Sequence, residues 1–148
     1  MRPIKHLLSK NNSYSKGILM SKQTNFPTSE EFVNFCARLA EDKKAENVIV
    51  MKLGEVSSIS DYFMICTGTS HPHLGAIAEW VRRKAREEFD IRPVAIDGEK
   101  ESDWIVIDFG NVMLHIFSQE SREKYNLESL WGDSEKIEKL ITEKRSQK

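Results

Sequence analysis

The stretch WIVIDFGNVMLHIF, residues 104–117, decides the fold class because it has the pattern of two β-strands joined by a tight turn. Apolar and β-branched residues dominate 104–109 and 112–117, and Gly110-Asn111 between them is a hairpin signal. Side chains alternate across a strand, so positions 105, 107 and 109 share one face with 112, 114 and 116. That face is apolar throughout, and we predict that it lies on the core.

The opposite face of the hairpin has a mixed composition: Trp104, Asp108, Met113, His115 and Phe117. Such a mixture is typical of a protein interface rather than of a solvated surface. The chain after the hairpin adds more apolar and aromatic residues rimmed by charge: Arg122, Glu123, Tyr125, Leu127, Glu128, Leu130 and Trp131. Aromatic residues beside an arginine are typical of interface hot spots. The sequence equally allows the C-terminal helices to cover this face, which would make the aromatic residues part of the core.

Outward from the hairpin, periodicity and capping signals predict the remaining elements. Thr28-Ser29-Glu30-Glu31 fits a capping box, and the apolar positions after it predict an amphipathic helix over 29–43. Further elements are predicted as strands at 48–53, 62–66 and 93–97, a helix from Pro72 to about Glu88, and a short helical segment from Ser118 through Tyr125. The fold class is therefore α/β (mixed α+β), a single domain with a mixed five-stranded sheet flanked by helices.

The charge is distributed unevenly along the 148 residues, although 22 Lys+Arg and 23 Asp+Glu leave a net charge of only −1. Residues 1–22 hold five bases and no acid, and we interpret them as a basic disordered arm or as a start codon assigned too far upstream. Residues 28–132 form the predicted domain, followed by a helical tail over 133–148. Residues 23–132 hold 12 bases and 19 acids, and this net charge of −7 disfavours broad nucleic-acid binding.

Neither membrane insertion nor disulfide bonding is expected. No apolar run approaches the roughly 20 residues that a membrane span needs. Cys36 and Cys66 lie in apolar surroundings without a Cys-x-x-Cys motif, so we interpret them as small buried hydrophobic residues in a reducing compartment. The simplest location is cytoplasmic.

The strongest catalytic candidate is the junction at 67–70, Thr-Gly-Thr-Ser, between a strand and a helix. A helix N-terminus after such a loop suits a phosphate, but no lysine follows as in a P-loop, so an ordinary N-cap is favoured. In outline the junction resembles the opening of nucleotidyltransferases, with Asp97 and Glu99 as candidate metal-binding carboxylates. Their distance in sequence from Ser70 is too long for that family, and Asp97-Gly98-Glu99 is more simply a turn. A magnesium-dependent nucleotidyltransferase-like enzyme is therefore the enzymatic alternative.

The histidines do not form a metal-binding pattern. His71 and His73 lie close together without an evident third ligand, and His115 lies alone in a strand. Lone histidines of this kind are typically structural residues that form hydrogen bonds. We predict no catalytic residues, no cofactor and no metal.

Several segments match, in collinear order over about 30–132, the pattern of one known family. They are Ser58–Phe63, Cys66–Ser70 with His73, Ile77-Ala78, Asp103–Gly110, Val112–Phe117 and Glu120–Trp131. No single segment is diagnostic, but the set is specific. The chain resembles the ribosomal silencing factor family (RsfS, Iojap-like).

This resemblance implies a nucleotidyltransferase-like fold without catalytic carboxylates. It implies a non-enzymatic protein that binds the large ribosomal subunit through that subunit's fourteenth protein, blocks joining of the small subunit and represses translation under nutrient limitation. The resemblance also implies a homodimer of the free protein, which members of the family often form, and neither a membrane nor a sequence-specific nucleic-acid contact is expected. The partner-binding residues that it implies are Asp103, Trp104, Asp108, His115, Arg122, Tyr125, Leu130 and Trp131.

The sequence departs from the family pattern at one residue and in one segment. Asn111 stands where an aspartate is common, although asparagine suits the same turn, and the basic segment 1–22 lies outside the family core. The acidic body agrees with the implied partner, because a net charge of −7 can pair with a basic ribosomal protein.

Overall fold

The described part of the chain forms a six-stranded mixed sheet with two long helices on one face. The computed structural model describes residues 26–53, 60–98, 102–130 and 135–136. The elements are α1 (Ser29–Asp42), β1 (Glu46–Lys52), β2 (Tyr62–Gly68), α2 (His71–Phe89), β3 (Ala95–Asp97), β4 (Trp104–Asp108), β5 (Val112–Ser118), α3 (Gln119–Tyr125), α4 (Leu127–Leu130) and β6 (Glu135–Lys136).

The sheet has the strand order β3-β4-β5-β2-β1-β6. The two central strands, β2 and β5, run parallel, and every other neighbouring pair is antiparallel. All seven residues of β2 are buried, as expected for a central strand that is covered on both faces. The parallel pair places the carboxyl ends of β2 and β5 side by side, and α2 and α3 begin there.

Both long helices begin at capping residues that the sequence identified. The Thr28 hydroxyl accepts a hydrogen bond from the Glu31 N–H at 3.1 Å, and the Glu31 carboxylate accepts one from the Thr28 N–H at 3.0 Å. This capping box satisfies two amide groups that lack partners within α1. Ser70 caps α2 by accepting from the His73 N–H at 3.1 Å, with Pro72 in the first turn.

The face of the sheet under α1 and α2, which we call the covered face, carries the main core. Ile105, Ile107, Leu114 and Ile116 are buried there, as the alternation in the hairpin predicts. Phe32 of α1 packs edge-on against Phe109, with 4.9 Å between the ring centroids. Cys36 and Cys66 are buried and free, as predicted, and burial raises the pKa of the Cys66 thiol to about 12.

The hairpin turn between β4 and β5 depends on the conformation of one glycine. Gly110 has a φ of +98°, which an L-residue adopts only with strain. The Asp108 carboxylate accepts a hydrogen bond from the Gly110 N–H at 2.7 Å, and the Phe109 N–H donates to the Val112 carbonyl at 2.9 Å. The hairpin is therefore fixed by local contacts, which is why it was predictable from the sequence.

The predicted mixed α/β fold class is confirmed, and the structure departs from the prediction in two details of the C-terminal region. The sheet has six strands rather than five, because Glu135–Lys136 pairs with Met51 and Lys52 at the edge of β1. These two residues form a strand where the sequence predicted a helical tail. The backbone groups of an edge strand need partners, and this tertiary pairing outweighs local helical preference. The rest of the tail, the arm at 1–22 and Trp131 lie outside the described residues.

Candidate partner-binding surface

The face of the sheet opposite α1 and α2, which we call the open face, carries a group of aromatic side chains. Trp104 stacks on Phe117 at 4.9 Å and lies 4.7 Å from Tyr125 and 6.0 Å from His115, measured between ring centroids. We call these four residues the aromatic cluster. Phe117 is fully buried, Trp104 is half-buried and Tyr125 is 44% exposed. The cluster therefore extends from the core to the surface.

His115 holds the Trp104 side chain through a hydrogen bond. The Trp104 Nε1–H donates to His115 Nδ1 at 3.1 Å, so the neutral imidazole carries its proton on Nε2. His115 is 5% exposed, and burial lowers its pKa to about 4 because the charged form loses its hydration. At neutral pH the ring is thus uncharged and Nδ1 can accept. Within the described ranges, His115 Nε2 has no hydrogen-bond partner.

The short helices α3 and α4 place Tyr125 beside Trp104. Ser118 caps α3 by accepting from the Ser121 N–H at 3.2 Å, and Asn126, with a φ of +44°, ends it. The chain then turns so that Leu127 is buried among Ile49, Met51, Phe63 and Ile65 on the open face. Burial of Leu127 fixes the end of α3 against the sheet, and Tyr125 remains partly in solvent.

Arg122 is bound inside the molecule. One guanidinium nitrogen donates to the Asn47 carbonyl at 2.7 Å and to the Thr67 hydroxyl at 2.9 Å, and the other pairs with Glu128 at 2.9 Å. Its side chain is only 10% exposed. Asn47 lies at a register shift in β1 with a φ of +49°, which directs its carbonyl to Arg122. Arg122 thus ties α3 to β1 and β2.

The two aspartates among the predicted residues have local partners. Asp103 precedes Trp104, but its carboxylate lies 2.7 Å from His71 Nε2. Asp108 lies at the far end of β4 and accepts from the Gly110 N–H in the hairpin turn. The structure therefore brings Trp104, His115 and Tyr125 together and gives Asp103, Asp108 and Arg122 contacts elsewhere. Leu130 is the last residue of α4, and Trp131 is outside the described residues.

Sequence reasoning missed Phe63 as a member of the open face. Its ring packs against His115 with 4.5 Å between centroids. Because β2 is apolar at nearly every position, alternation gives no sign of which side chains point to which face. The proposal that C-terminal helices cover this face is correct for Leu127, while Trp104 and Tyr125 stay accessible.

The junction at 67–70 lines an open cleft of about 490 Å³ at the carboxyl ends of β2 and β5. Glu46 and Asp103 also line this cleft, and their negative charges oppose phosphate binding there. Ser70 acts as a helix cap, which confirms the simpler interpretation of the junction. His73 is structural, since its Nδ1 lies 2.9 Å from the Thr69 nitrogen and its Nε2 lies 2.7 Å from the Lys43 oxygen.

In the structure, the candidate carboxylate Asp97 lies far from the junction at 67–70, although a nucleotidyltransferase site would need the two together. Asp97 ends the edge strand β3, three strands from β2, and is thus roughly 14 Å across the sheet from the junction at 67–70. Gly98 follows it with a φ of +83°, as in a turn, and Glu99 lies outside the described residues. Over the ranges that the structure describes, no three His, Cys, Asp or Glu side chains converge as metal ligands would.

None of the helices in the described ranges combines the length and the apolarity that crossing a bilayer requires.

Comparisons with known proteins agree with this fold. A family model described as ribosomal silencing factor during starvation (RsfS) matches residues 27–148. Ribosomal silencing factor RsfS of Halalkalibacterium halodurans is 35% identical over 111 residues, which cover 75% of this chain and 94% of that protein. RsfS of Bacillus subtilis is 34% identical over 105 residues, which cover 71% of this chain and 88% of that protein. A crystal structure of a Chromobacterium violaceum protein matches with a TM-score of 0.69 and 25% identity, over 72% of this chain and 88% of that chain. The chain belongs to the ribosomal silencing factor (RsfS) family.

Proposed function

We propose that this protein represses translation under nutrient limitation by binding the large ribosomal subunit through its fourteenth protein. Bound there, it occupies space that the small subunit needs and so prevents subunit joining. Membership of the family supports the ribosomal setting, and the aromatic cluster on the open face supports docking on a protein partner. No chemical step is part of this function, and its location is cytoplasmic.

The aromatic cluster is the observation that carries the proposal. An indole and a phenol at the surface, both held against a packed base, can bury a large area on a partner while losing little side-chain entropy. Trp104 is fixed by His115 and Phe117, and Tyr125 is fixed at the end of α3. A surface organised in this way before binding loses less free energy on association than a mobile one.

The implied partner-binding residues then divide into three roles. Trp104 and Tyr125 contact the partner from the open face, and Asp103, whose carboxylate lies 2.7 Å from His71 Nε2, contacts it from the cleft at the carboxyl ends of β2 and β5. His115, Asp108 and Arg122 position the surface through the Trp104 ring, the hairpin turn and the attachment of α3. Leu130, the last residue of α4, and Trp131, which lies outside the described residues, are the remaining proposed partner-binding residues.

We also propose that free copies of the protein form a homodimer through the aromatic cluster. Partly exposed aromatic side chains that lie together mark a site of protein association, and a second copy of the chain can cover them. Because the same side chains would face either a second copy or the ribosomal partner, the two complexes exclude each other. The free protein would then dissociate before docking.

Co-sedimentation with purified ribosomal subunits tests the proposal. The full chain is mixed with large subunits, with small subunits, or with both, and the pellets and gradient profiles are compared. We expect the protein to pellet with the large subunit alone and to reduce the amount of joined ribosomes in the mixture.

Two results would contradict the proposal. Pelleting with neither subunit, in a folded sample that still dimerises, would indicate a scaffold whose aromatic face serves self-association only. Pelleting with the large subunit without any loss of joined ribosomes would separate binding from silencing and reject steric occlusion.

A further inference from the structure

A groove rich in arginine lies on the covered side of the sheet, between α2 and the chain leading into β3. It has a volume of about 390 Å³ and is lined by Glu79, Arg82, Arg83, Arg86, Arg92, Pro93 and Ile96. Four arginines thus face a single glutamate. Ile96 packs against the core of the covered face, so the groove and the aromatic cluster lie on opposite faces of the sheet.

The spacing of the arginines puts them on one stripe of the helix. Arg82, Arg83 and Arg86 are three, four and seven positions after Glu79, which is the repeat of one helical face. Arg82 pairs loosely with Glu79 at 3.5 Å, and Arg92 pairs with Asp90 at 2.9 Å. Arg83 and Arg86 are exposed and have no carboxylate within ion-pair distance in the described ranges.

More positive charge surrounds Trp80, next to the groove. Its ring lies 4.6 Å from the Lys43 ammonium, 5.2 Å from the Arg83 guanidinium and 5.2 Å from the Lys84 ammonium. The indole face attracts these three cations and lets like charges stay close together. The nearest acids on this helix outside the groove are Glu87, which pairs with Lys84 at 3.5 Å, and Glu88.

We propose that this arginine groove binds the phosphate backbone of RNA. Guanidinium groups present planar pairs of donors that match phosphate oxygens, and they are more weakly hydrated than ammonium groups. Backbone contacts position a protein without reading sequence, so the groove requires no sequence-specific recognition. The inference rests on the proposed function for its RNA, because docking on a ribosomal subunit brings RNA into the protein's surroundings.

The shape of the groove favours a phosphate backbone over an acidic peptide. Among the described residues that line it, only Pro93 and Ile96 are apolar, which offers little anchorage for peptide side chains. Peptide recognition normally adds such pockets to its charge contacts, whereas RNA backbone binding depends mainly on charge. With the aromatic cluster on the other face, the protein could contact a ribosomal protein and RNA at the same time.

Fluorescence anisotropy of a labelled 20-base-pair RNA hairpin provides the test. Wild-type full chain, Arg83→Gln/Arg86→Gln and the control Lys52→Gln/Lys124→Gln are titrated at 50 and 200 mM KCl. Both double variants lose two positive charges at exposed positions, and the basic segment 1–22 is the same in all three proteins. A poly-glutamate peptide is titrated in parallel.

We expect the groove variant to lose at least about tenfold in RNA affinity at 50 mM KCl. The slope of log affinity against log salt should fall by roughly 1.4 to 1.8, since each lost phosphate contact removes about 0.7 to 0.9. The control should stay close to wild type. Trp104→Ala should also bind the hairpin like wild type. Because this assay contains no ribosomal subunit, the RNA-binding inference can fail while the silencing proposal stands.

Three outcomes would overturn the inference. Wild type failing to bind the hairpin at 50 mM KCl is the first, and equal affinities of wild type and the groove variant are the second. The third is a groove variant that no longer binds poly-glutamate but still binds the RNA hairpin. That result would assign the groove to an acidic peptide. Urea midpoints equal to wild type verify that the variants are folded.

Discussion

The two faces of the sheet are built from the same strands but have different roles. On the covered face, Leu114 and Ile116 of β5 pack under α1 and α2 in a continuous apolar core. On the open face, their neighbours Met113 and His115 lie among aromatic rings of which two reach solvent. Alternation along one strand thus separates residues that stabilise the fold from residues that present a surface.

The two faces also differ in whether they bury a polar side chain, which lowers the stability of the fold. The covered-face residues of β5, Val112, Leu114 and Ile116, are all apolar. The open face buries His115 with one ring nitrogen bonded to Trp104 and the other without a partner in the described ranges. An unsatisfied buried donor is unfavourable, and we interpret it as the cost of holding the Trp104 ring for binding.

The largest effect should come from truncating the covered face. Leu114→Ala removes a fully buried side chain and leaves a cavity, so we expect a loss of about 3 kcal/mol in the free energy of unfolding. Met113→Ala, one residue away on the open face, removes a half-buried side chain and should cost about 1 kcal/mol or less. Urea denaturation of both variants measures the difference. Equal losses would show that the two faces contribute equally to stability.

A second prediction concerns the attachment of α3 to β1 and β2. Arg122→Gln removes the charged donor shared by the Asn47 carbonyl, the Thr67 hydroxyl and the Glu128 carboxylate. Because these contacts are largely shielded from water, we expect a loss of about 2–3 kcal/mol in the free energy of unfolding. The matched control Lys124→Gln, at an exposed position of α3, should change it by less than about 0.5 kcal/mol. An Arg122 variant as stable as the control would contradict the positional role.

A third prediction uses the buried imidazole of the open face. Burial lowers the pKa of His115 to about 4 in the folded protein, below the value of about 6.5 in an unfolded chain. The unfolded state therefore binds the proton more readily, and stability present above pH 6.5 is lost as the pH falls towards 4. Between pH 7 and 5, wild type should lose about 2 kcal/mol more than His115→Gln. Equal pH dependence of the two proteins would mean that His115 is not held neutral by burial.

The sequence predicted most of the fold because its signals are local. The hairpin follows from alternation and from Gly110, α1 from its capping box, and α2 from Ser70 and Pro72. The two-residue strand β6 escaped prediction because it depends on the free edge of β1, which is distant in sequence. No local pattern encodes such a pairing.

The surfaces were less predictable than the fold. Trp104, His115 and Tyr125 lie together in the structure, and their role in partner binding stays a prediction. The attachment of Arg122 depends on a backbone distortion at Asn47, 75 positions away. The arginine groove was concealed because the net charge of −7 over 23–132 averages over both faces. Summed charge gives no information on where individual charges cluster.

The central claim, that the aromatic cluster docks on the large subunit, is tested most directly by the dissociation constant of that complex. Trp104→Ala should raise the dissociation constant about 30-fold, which corresponds to the roughly 2 kcal/mol of an interface hot spot. Phe35→Ala, which removes a half-buried aromatic ring from the covered side, provides the matched control and should bind within about threefold of wild type. A folded Trp104→Ala protein that binds as tightly as this control would contradict the account.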